Sequence, residues 1–224
     1  HNESEAGSEK ATISSDLIDE VFKPHLQDGY AIDHVLHLLS NRTGLVIEPN
    51  LASGLYRFIH RTFREYFAAR YLLSMTDEQS WKNFRENLSE DPGWWLETLK
   101  LIVKSGDGNK KDDCEDNGED SPNPTQRTSE QLLRALHFSV HDYDLKPNSK
   151  DYQVAITVSE ALIERWSSEQ YRLEADDELS LRLHQRCRHW LTECTQDLEI
   201  EPPQRVQAGA ALGWIGDRRS GVGL

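Results

Sequence analysis

The chain has 224 residues, of which 37% are hydrophobic and 29% charged, and a formal net charge of -14. This length allows one large domain or two smaller ones with buried cores. The acidic balance disfavours nonspecific binding to nucleic acid or to anionic membranes. No apolar run is long enough to span a bilayer, and three unevenly spaced cysteines do not suggest a disulfide framework. We therefore expect a cytoplasmic protein.

The chain begins with a polar tail and two predicted helices. Residues 1–13 contain little that could be buried and predict disorder. The segment SSDLIDEVF has capping residues ahead of helically spaced apolar residues. A second helix is predicted in YAIDHVLHLLSNRTG, where Gly44 suits the left-handed position just past a helix end.

A hairpin and a third helix are predicted next. GLVIEP and GLYRFI have the composition of short strands, and NLASG between them favours a loop. Another helix is predicted from about Arg61. Helix, helix, hairpin and helix is the element order of a winged-helix domain, which we predict over residues 14–75.

The third helix carries an aromatic stripe. Helical spacing predicts that its buried face consists of Phe63, Tyr66, Phe67 and Leu73. The same spacing predicts that Arg61, Arg64 and Glu65 lie on the opposite side. The stripe is therefore expected to hold the hairpin and the following helices together.

The remainder is predicted to be helical apart from one interruption. Residues 76–104 predict two helices separated by the turn DPG. Residues 105–127 are acidic, rich in turn residues and free of large apolar side chains, and predict a flexible loop or linker. Residues 128–224 predict four amphipathic helices, and the last of them resembles a HEAT-type repeat helix. The expected fold class is mainly α: a winged-helix domain with a small β-hairpin, followed by a HEAT-like helical region.

The motifs that could carry chemistry are incomplete. SGDGNKK lacks the spacing and the Ser or Thr of a phosphate-binding loop. An acidic run resembles a calcium loop, with candidate residues Asp113, Glu115, Asn117 and Gly118, but Pro124 stands where the closing glutamate should be. The hypothesis of a solvated loop is preferred there.

Four residues of zinc-ligand type lie close together in sequence: His184, Cys187, His189 and Cys194. On one helix His189 points away from Cys187, so a single metal ion cannot collect all four. No nucleophile has a recognisable catalytic partner. We expect neither a metal site nor enzymatic activity in this chain.

The run FIHRTFREYFAARYLL, preceded by the predicted hairpin, resembles the winged-helix segment that follows the nucleotide-binding core of bacterial NACHT-class STAND NTPases. The family phrase F-x-H-x-[ST]-F-x-E-[YF]-x-A-A is matched throughout. The matching residues are Phe58, His60, Thr62, Phe63, Glu65, Tyr66, Ala68 and Ala69.

The resemblance implies a role for His60. The matching histidine in that family contacts the β-phosphate of bound ADP and helps to keep the closed, inactive state. The chemistry is compatible, because an imidazole at a helix start can donate a hydrogen bond to phosphate. The implied cofactor is ADP or ATP with magnesium in the full-length protein, with none held by this chain alone. Any ATP hydrolysis would take place upstream of His1.

The chain opens at His1 instead of a methionine, and we expect a fragment of a longer protein. The end, RVQAGAALGWIGDRRSGVGL, is similar to segments that lead into a formylglycine-generating-enzyme-like domain. The predicted function is a non-catalytic regulatory arm that couples nucleotide state to a downstream sensor or effector. The implied partners are an upstream NACHT core in the same chain, the downstream domain or a protein partner, and further copies on activation.

Two alternatives remain at this point. The first is a helical protein-interaction scaffold without nucleotide coupling. The second is a winged-helix DNA-binding regulator, which is disfavoured because the candidate recognition helix, AIDHVLHLLSNR, carries one arginine, one aspartate and no lysine. We expect no nucleic-acid and no membrane partner.

Overall fold

The computed structural model describes residues 12–25, 32–49, 53–75, 77–107, 124–140, 147–167 and 178–217. Over these residues the protein is mainly α-helical with a small three-stranded antiparallel sheet, which confirms the predicted mainly-α class. The chain divides into two compact units, His1–Phe67 and Ala68–Leu224. No helix in the described part of the chain is both long and apolar enough to cross a membrane.

The described residues of the first unit contain the sheet and two short helices. Its elements are β1 (Ile13–Ser14), α1 (Ser15–Phe22), α2 (Ile32–His37), β2 (Val46–Ile47), β3 (Leu55–Phe58) and the first turns of α3 (Arg61–Ser74). A 3-10 turn, Lys23–His25, extends α1, and a π turn, Leu38–Arg42, extends α2.

Capping and glycine geometry set the helix boundaries as the sequence predicts. The Ser14 hydroxyl accepts a hydrogen bond of 3.2 Å from the Leu17 N–H and so caps α1. Gly44 follows the α2 segment with φ of 62°. This left-handed conformation strains residues with a Cβ atom, which explains why glycine occupies the position.

The sheet has the order β1-β3-β2, and both pairings are antiparallel. The predicted hairpin is confirmed, with Val46 opposite Phe58. The strand β1, which lies at the other edge of β3, was not predicted. Gly54 before β3 has φ of 64°, and its carbonyl accepts a hydrogen bond of 2.8 Å from the Ser15 N–H. The sheet therefore ties the start of α1 to the hairpin.

In the part of the second unit that the structure describes, six further helices follow α3. They are α4 (Glu78–Glu90), α5 (Pro92–Asp107), α6 (Pro124–Ser139), α7 (Ser149–Ser167), α8 (Glu178–Gln196) and α9 (Pro202–Ile215). The predicted break at DPG is confirmed, because α5 begins at Pro92. Helix also occupies both ends of the predicted 105–127 loop, and residues 108–123 of that loop lie outside the described part.

These six helices form two layers. In one layer α4 packs against α6 and α6 against α8; in the other α5 packs against α7 and α7 against α9. The layers are joined because α4 also packs against α5, α7 against α8, and α8 against α9. The described helices of the second unit thus form a stack of three pairs, although the sequence has no repeat at a fixed period.

Helix α7 lies at the centre of the stack. The sequence predicts an amphipathic helix here; in the structure α4, α5, α8 and α9 all pack against it, and most of its side chains between residues 152 and 162 are buried. Its buried residues are Tyr152, Val154, Ala155, Ile156, Thr157, Val158, Ser159, Ala161 and Leu162. The Ser159 hydroxyl is satisfied within the helix, where it donates a 2.7 Å hydrogen bond to the Ala155 carbonyl.

Candidate functional site

The hairpin and helix α3 together fix the position of His60. Strand β3 ends at Phe58, and the Ile59 N–H then donates a 3.0 Å hydrogen bond to the Leu45 carbonyl. The His60 carbonyl accepts a 3.2 Å hydrogen bond from the Phe63 N–H as α3 begins. His60 is therefore held by the sheet on one side and by the first helical turn on the other.

The imidazole of His60 is exposed to solvent. Its ring centroid lies 6.0 Å from that of Phe63, and the two rings are tilted by 47°. No hydrogen bond to either ring nitrogen is made by the residues that the structure describes.

Basic groups follow His60 in the first turns of α3. The first turn contains no acidic residue, so the positive end of the helix dipole is not neutralised there. Burial, and then the charge of Arg61, lower the pKa of Arg64, whereas Glu65 raises it. Arg64 stays protonated at neutral pH because a guanidinium ionises far above that range. The positive potential at this end of α3 is suited to a phosphate group.

The buried side of α3 differs from the predicted one, although Arg61 is exposed as predicted. Phe63, Tyr66 and Phe67 are exposed instead of buried, and Leu73 is half-buried. The buried residues are Glu65, Ala69 and Leu72, spaced at i, i+4 and i+7. The prediction failed because periodicity identifies two faces of a helix without saying which one is covered.

Glu65 tolerates burial because it has a partner on its own helix. Only 7% of this residue is exposed. Its Oε1 atom accepts a hydrogen bond from the Arg61 Nε–H one turn earlier. A buried carboxylate requires such pairing, since desolvation of an unpaired charge is costly. The predicted solvent-facing position of Glu65 is therefore wrong.

The exposed aromatic rings of α3 contact each other and the hairpin. Phe67 stacks on Phe58 of β3 with ring centroids 5.7 Å apart, and it meets Tyr66 edge to face at 5.6 Å. We call Phe58, Phe63, Tyr66 and Phe67 the aromatic cluster. It extends along α3 from His60 and gives this end of the first unit an apolar surface next to the basic one.

The structure places the histidines and cysteines of α8 in different surroundings. Burial raises the pKa of Cys187 to about 12 and that of Cys194 to about 11, so both remain neutral thiols. His184 Nε2 lies 3.0 Å from the Ile215 carbonyl oxygen, and His189 contacts the Trp190 ring. Among the described residues no three His, Cys, Asp or Glu side chains could share a metal ion. In the calcium-like run, Asp113 to Gly118 lie outside the described residues, and Pro124 begins α6.

Sequence reasoning missed a cleft in the second unit. It measures about 330 Å³ and lies on the layer formed by α5, α7 and α9. Lys100 and Lys104 line it from α5, Glu160 from α7 and Trp214 from α9. These residues are far apart in sequence, and only the spacing of the two lysines at i and i+4 gives a local signal.

Comparison with known proteins gives no further indication of identity: no protein-family model, no curated protein and no solved structure matches this chain.

Proposed function

We propose that this chain is the non-catalytic regulatory arm of a bacterial NACHT-class STAND NTPase. In this proposal His60 contacts the phosphate of ADP held by an upstream nucleotide-binding core, and the helices that follow relay nucleotide state to a downstream sensor or effector. The observation that carries the proposal is the exposed His60 imidazole, whose ring nitrogens have no partner among the described residues. It sits where positive helix-end potential favours an anion.

The fold of the first unit supports the winged-helix part of the proposal. Two helices, α1 and α2, separate β1 from the β2–β3 hairpin, and β3 lies between the other two strands. This arrangement supports the proposal of a winged helix in which the hairpin is the wing. His60 would then lie at the junction between the wing and the helix that leaves it.

The second unit supports a HEAT-like relay. Three helix pairs stacked in two layers form a quasi-linear array in which each pair contacts its neighbours. Such an array transmits a displacement at one end as a rigid-body movement of the rest. We infer a two-state lever: ADP holds the arm in the closed state, and nucleotide exchange releases it and permits oligomerisation.

The test uses the full-length protein. His60→Ala should weaken ADP retention by roughly tenfold or more, since a hydrogen bond to a charged group contributes about 1.5–3 kcal/mol. Basal activity should rise with it. His37→Ala is the matched control, because His37 is also exposed and lies in the first unit. Equal ADP affinity of the His60→Ala and His37→Ala variants would show that His60 does not contribute to ADP binding.

A second candidate function is a helical protein-interaction scaffold without nucleotide coupling. The cleft beside Trp214 favours it, because a concave surface with an exposed tryptophan is typical of protein-binding sites. The sequence upstream of His1 distinguishes the two candidates. A strand followed by G-x-x-x-x-G-K-[ST] favours the regulatory arm, and its absence favours the scaffold.

A further inference from the structure

A pocket distinct from the cleft on the α5–α7–α9 layer lies in a groove between the C-terminal half of α3 and helix α4. It measures about 180 Å³. The α3 side contributes Ala68, Tyr71, Leu72 and Met75, which are spaced at i, i+3, i+4 and i+7 and therefore lie on one side of the helix. Trp95 lines the pocket from α5. All of these residues belong to the second unit.

Helix α4 forms the facing side of the pocket and supplies its polar groups. It contributes Ser80, Asn83, Phe84 and Asn87, again at i, i+3, i+4 and i+7. Phe84 is buried and meets the Trp95 ring edge to face, with centroids 5.3 Å apart, so these two rings form an apolar floor. Asn83 and Asn87 are exposed and therefore stand at the rim. The pocket thus combines an aromatic floor with amide groups along one edge.

The lining of this pocket is uncharged. Of the described residues that line it, none is acidic or basic. The chain as a whole is 29% charged, and α4 itself carries charges that do not line the pocket: Glu78, Lys82, Arg85, Glu86 and Glu90. A charged ligand would lose hydration in the pocket without gaining an ion pair, which is unfavourable. The lining therefore favours a ligand without charge at this point.

The amide groups at the rim retain hydrogen-bonding capacity. Asn83 Oδ1 accepts a 2.8 Å hydrogen bond from Gln79 Nε2, one turn earlier on α4. Within the part of the chain that the structure describes, the Asn83 Nδ2 group and the whole Asn87 carboxamide make no hydrogen bond. A carboxamide carries N–H donors and a C=O acceptor, the same two kinds of group as a peptide unit. We call Gln79, Asn83 and Asn87 the carboxamide ladder.

The spacing of the carboxamide ladder matches an extended peptide. Its members are four residues apart, which is about 6 Å along a helix, and two residues of an extended chain advance by about 6.6 Å. Alternate residues of an extended chain direct their N–H and C=O groups to the same side, so successive carboxamides meet successive alternate residues. A helical partner has no such groups to offer, because they are bonded within the helix. The volume of about 180 Å³ is below the range of about 300–1,000 Å³ for small-molecule pockets and suits an apolar side chain.

We propose that the groove between α3 and α4 binds an extended, uncharged segment of a partner protein. The carboxamide ladder hydrogen-bonds the backbone of that segment, and one of its apolar side chains enters the pocket against Phe84 and Trp95. Tyr71 stands on the α3 side, 63% exposed, and its hydroxyl has no hydrogen bond among the described residues, so it is placed to bond the other edge of the segment. Since the pocket and the ladder belong to the second unit, the proposal is independent of any role of His60.

The test measures binding of labelled heptapeptides to the whole chain by fluorescence anisotropy. The parent peptide has capped ends and alternates leucine with serine; one derivative carries N-methyl groups on its leucine nitrogens and the other on its serine nitrogens. The parent should bind saturably. Because only alternate residues face the carboxamide ladder, the two derivatives should differ in affinity by about tenfold or more. Asn83→Ala and Asn87→Ala should each weaken binding of the parent by about fivefold, the effect of one neutral hydrogen bond.

Gln185→Ala is the matched control, because it removes an exposed carboxamide from α8, outside the pocket. It should leave the affinity unchanged. The asparagine side chains are exposed as well, so all three variants should have the urea unfolding midpoint of the unchanged chain. Three results would overturn the proposal: no saturable binding of the parent peptide, equal affinities of the two N-methylated derivatives, or unchanged affinity in both asparagine variants.

Discussion

Leu162 offers a quantitative test of the packing around α7. Its side chain is 0% exposed, and α4, α5, α8 and α9 pack around its helix. Leu162→Ala removes three carbon groups, which corresponds to about 2.4 kcal/mol of lost transfer free energy at about 0.8 kcal/mol per group. Four packed neighbours limit collapse into the cavity, so a cavity term adds to this loss. We expect the free energy of unfolding to fall by roughly 3–4 kcal/mol.

The assay for Leu162→Ala is urea unfolding followed by tryptophan fluorescence. All six tryptophans lie after residue 67, so the signal reports on the second unit. Leu198→Ala is the control, and it should change the free energy of unfolding by less than about 0.5 kcal/mol, because that side chain is exposed. A loss below about 1 kcal/mol for Leu162→Ala would refute the central position of α7.

Two further stability predictions follow from local geometry. Gly54→Ala should destabilise the first unit by about 1–2 kcal/mol, because the φ of Gly54 is 64°. The loss should exceed that of Gly44→Ala, since a Cβ atom at residue 54 would lie 3.1 Å from Ser15 Oγ. Equal losses of stability in thermal unfolding of the two variants would contradict this difference. Burial raises the pKa of the Cys187 thiol from 9.0 to about 12. The thiol therefore ionises at lower pH in the unfolded chain than in the folded one. The free energy of unfolding should then fall as pH rises from about 9 towards 12. Urea unfolding at pH 8.5 and 10 checks this, and Cys187→Ala should show a weaker pH dependence; an unchanged dependence would contradict the assignment.

Structural features that depend on only a few neighbouring residues were predicted correctly from the sequence. The Ser14 cap, the left-handed Gly44, the turn before Pro92 and the β2–β3 hairpin all follow from local backbone preferences. Strand β1 escaped prediction because two residues are too few to establish an alternating pattern.

Features that depend on tertiary neighbours were predicted less well. The aromatic residues of α3 have the right spacing for a buried stripe, but the spacing does not reveal which side is covered. Glu65 was expected in solvent because it is charged, whereas its pairing with Arg61 permits burial. The position of α7 between four helices is likewise invisible in its own sequence.

The candidate sites differ in how far the sequence could indicate them. His60 was identified because the residues around it match a family phrase over one short run. The cleft collects Lys100, Glu160 and Trp214 from three helices, and no short-range pattern connects residues so distant in sequence. The three helices of one layer had to assemble before those side chains could share one surface.

The central claim is that the His60 imidazole hydrogen-bonds a phosphate of bound ADP. The most direct measurement is the distance between its ring nitrogens and the β-phosphate oxygens in an ADP-bound structure of the full-length protein. We predict one nitrogen–oxygen distance of about 2.7–3.2 Å, the range of an N–H···O hydrogen bond. An imidazole that is turned away from the nucleotide, or hydrogen-bonded within its own unit, would contradict the account.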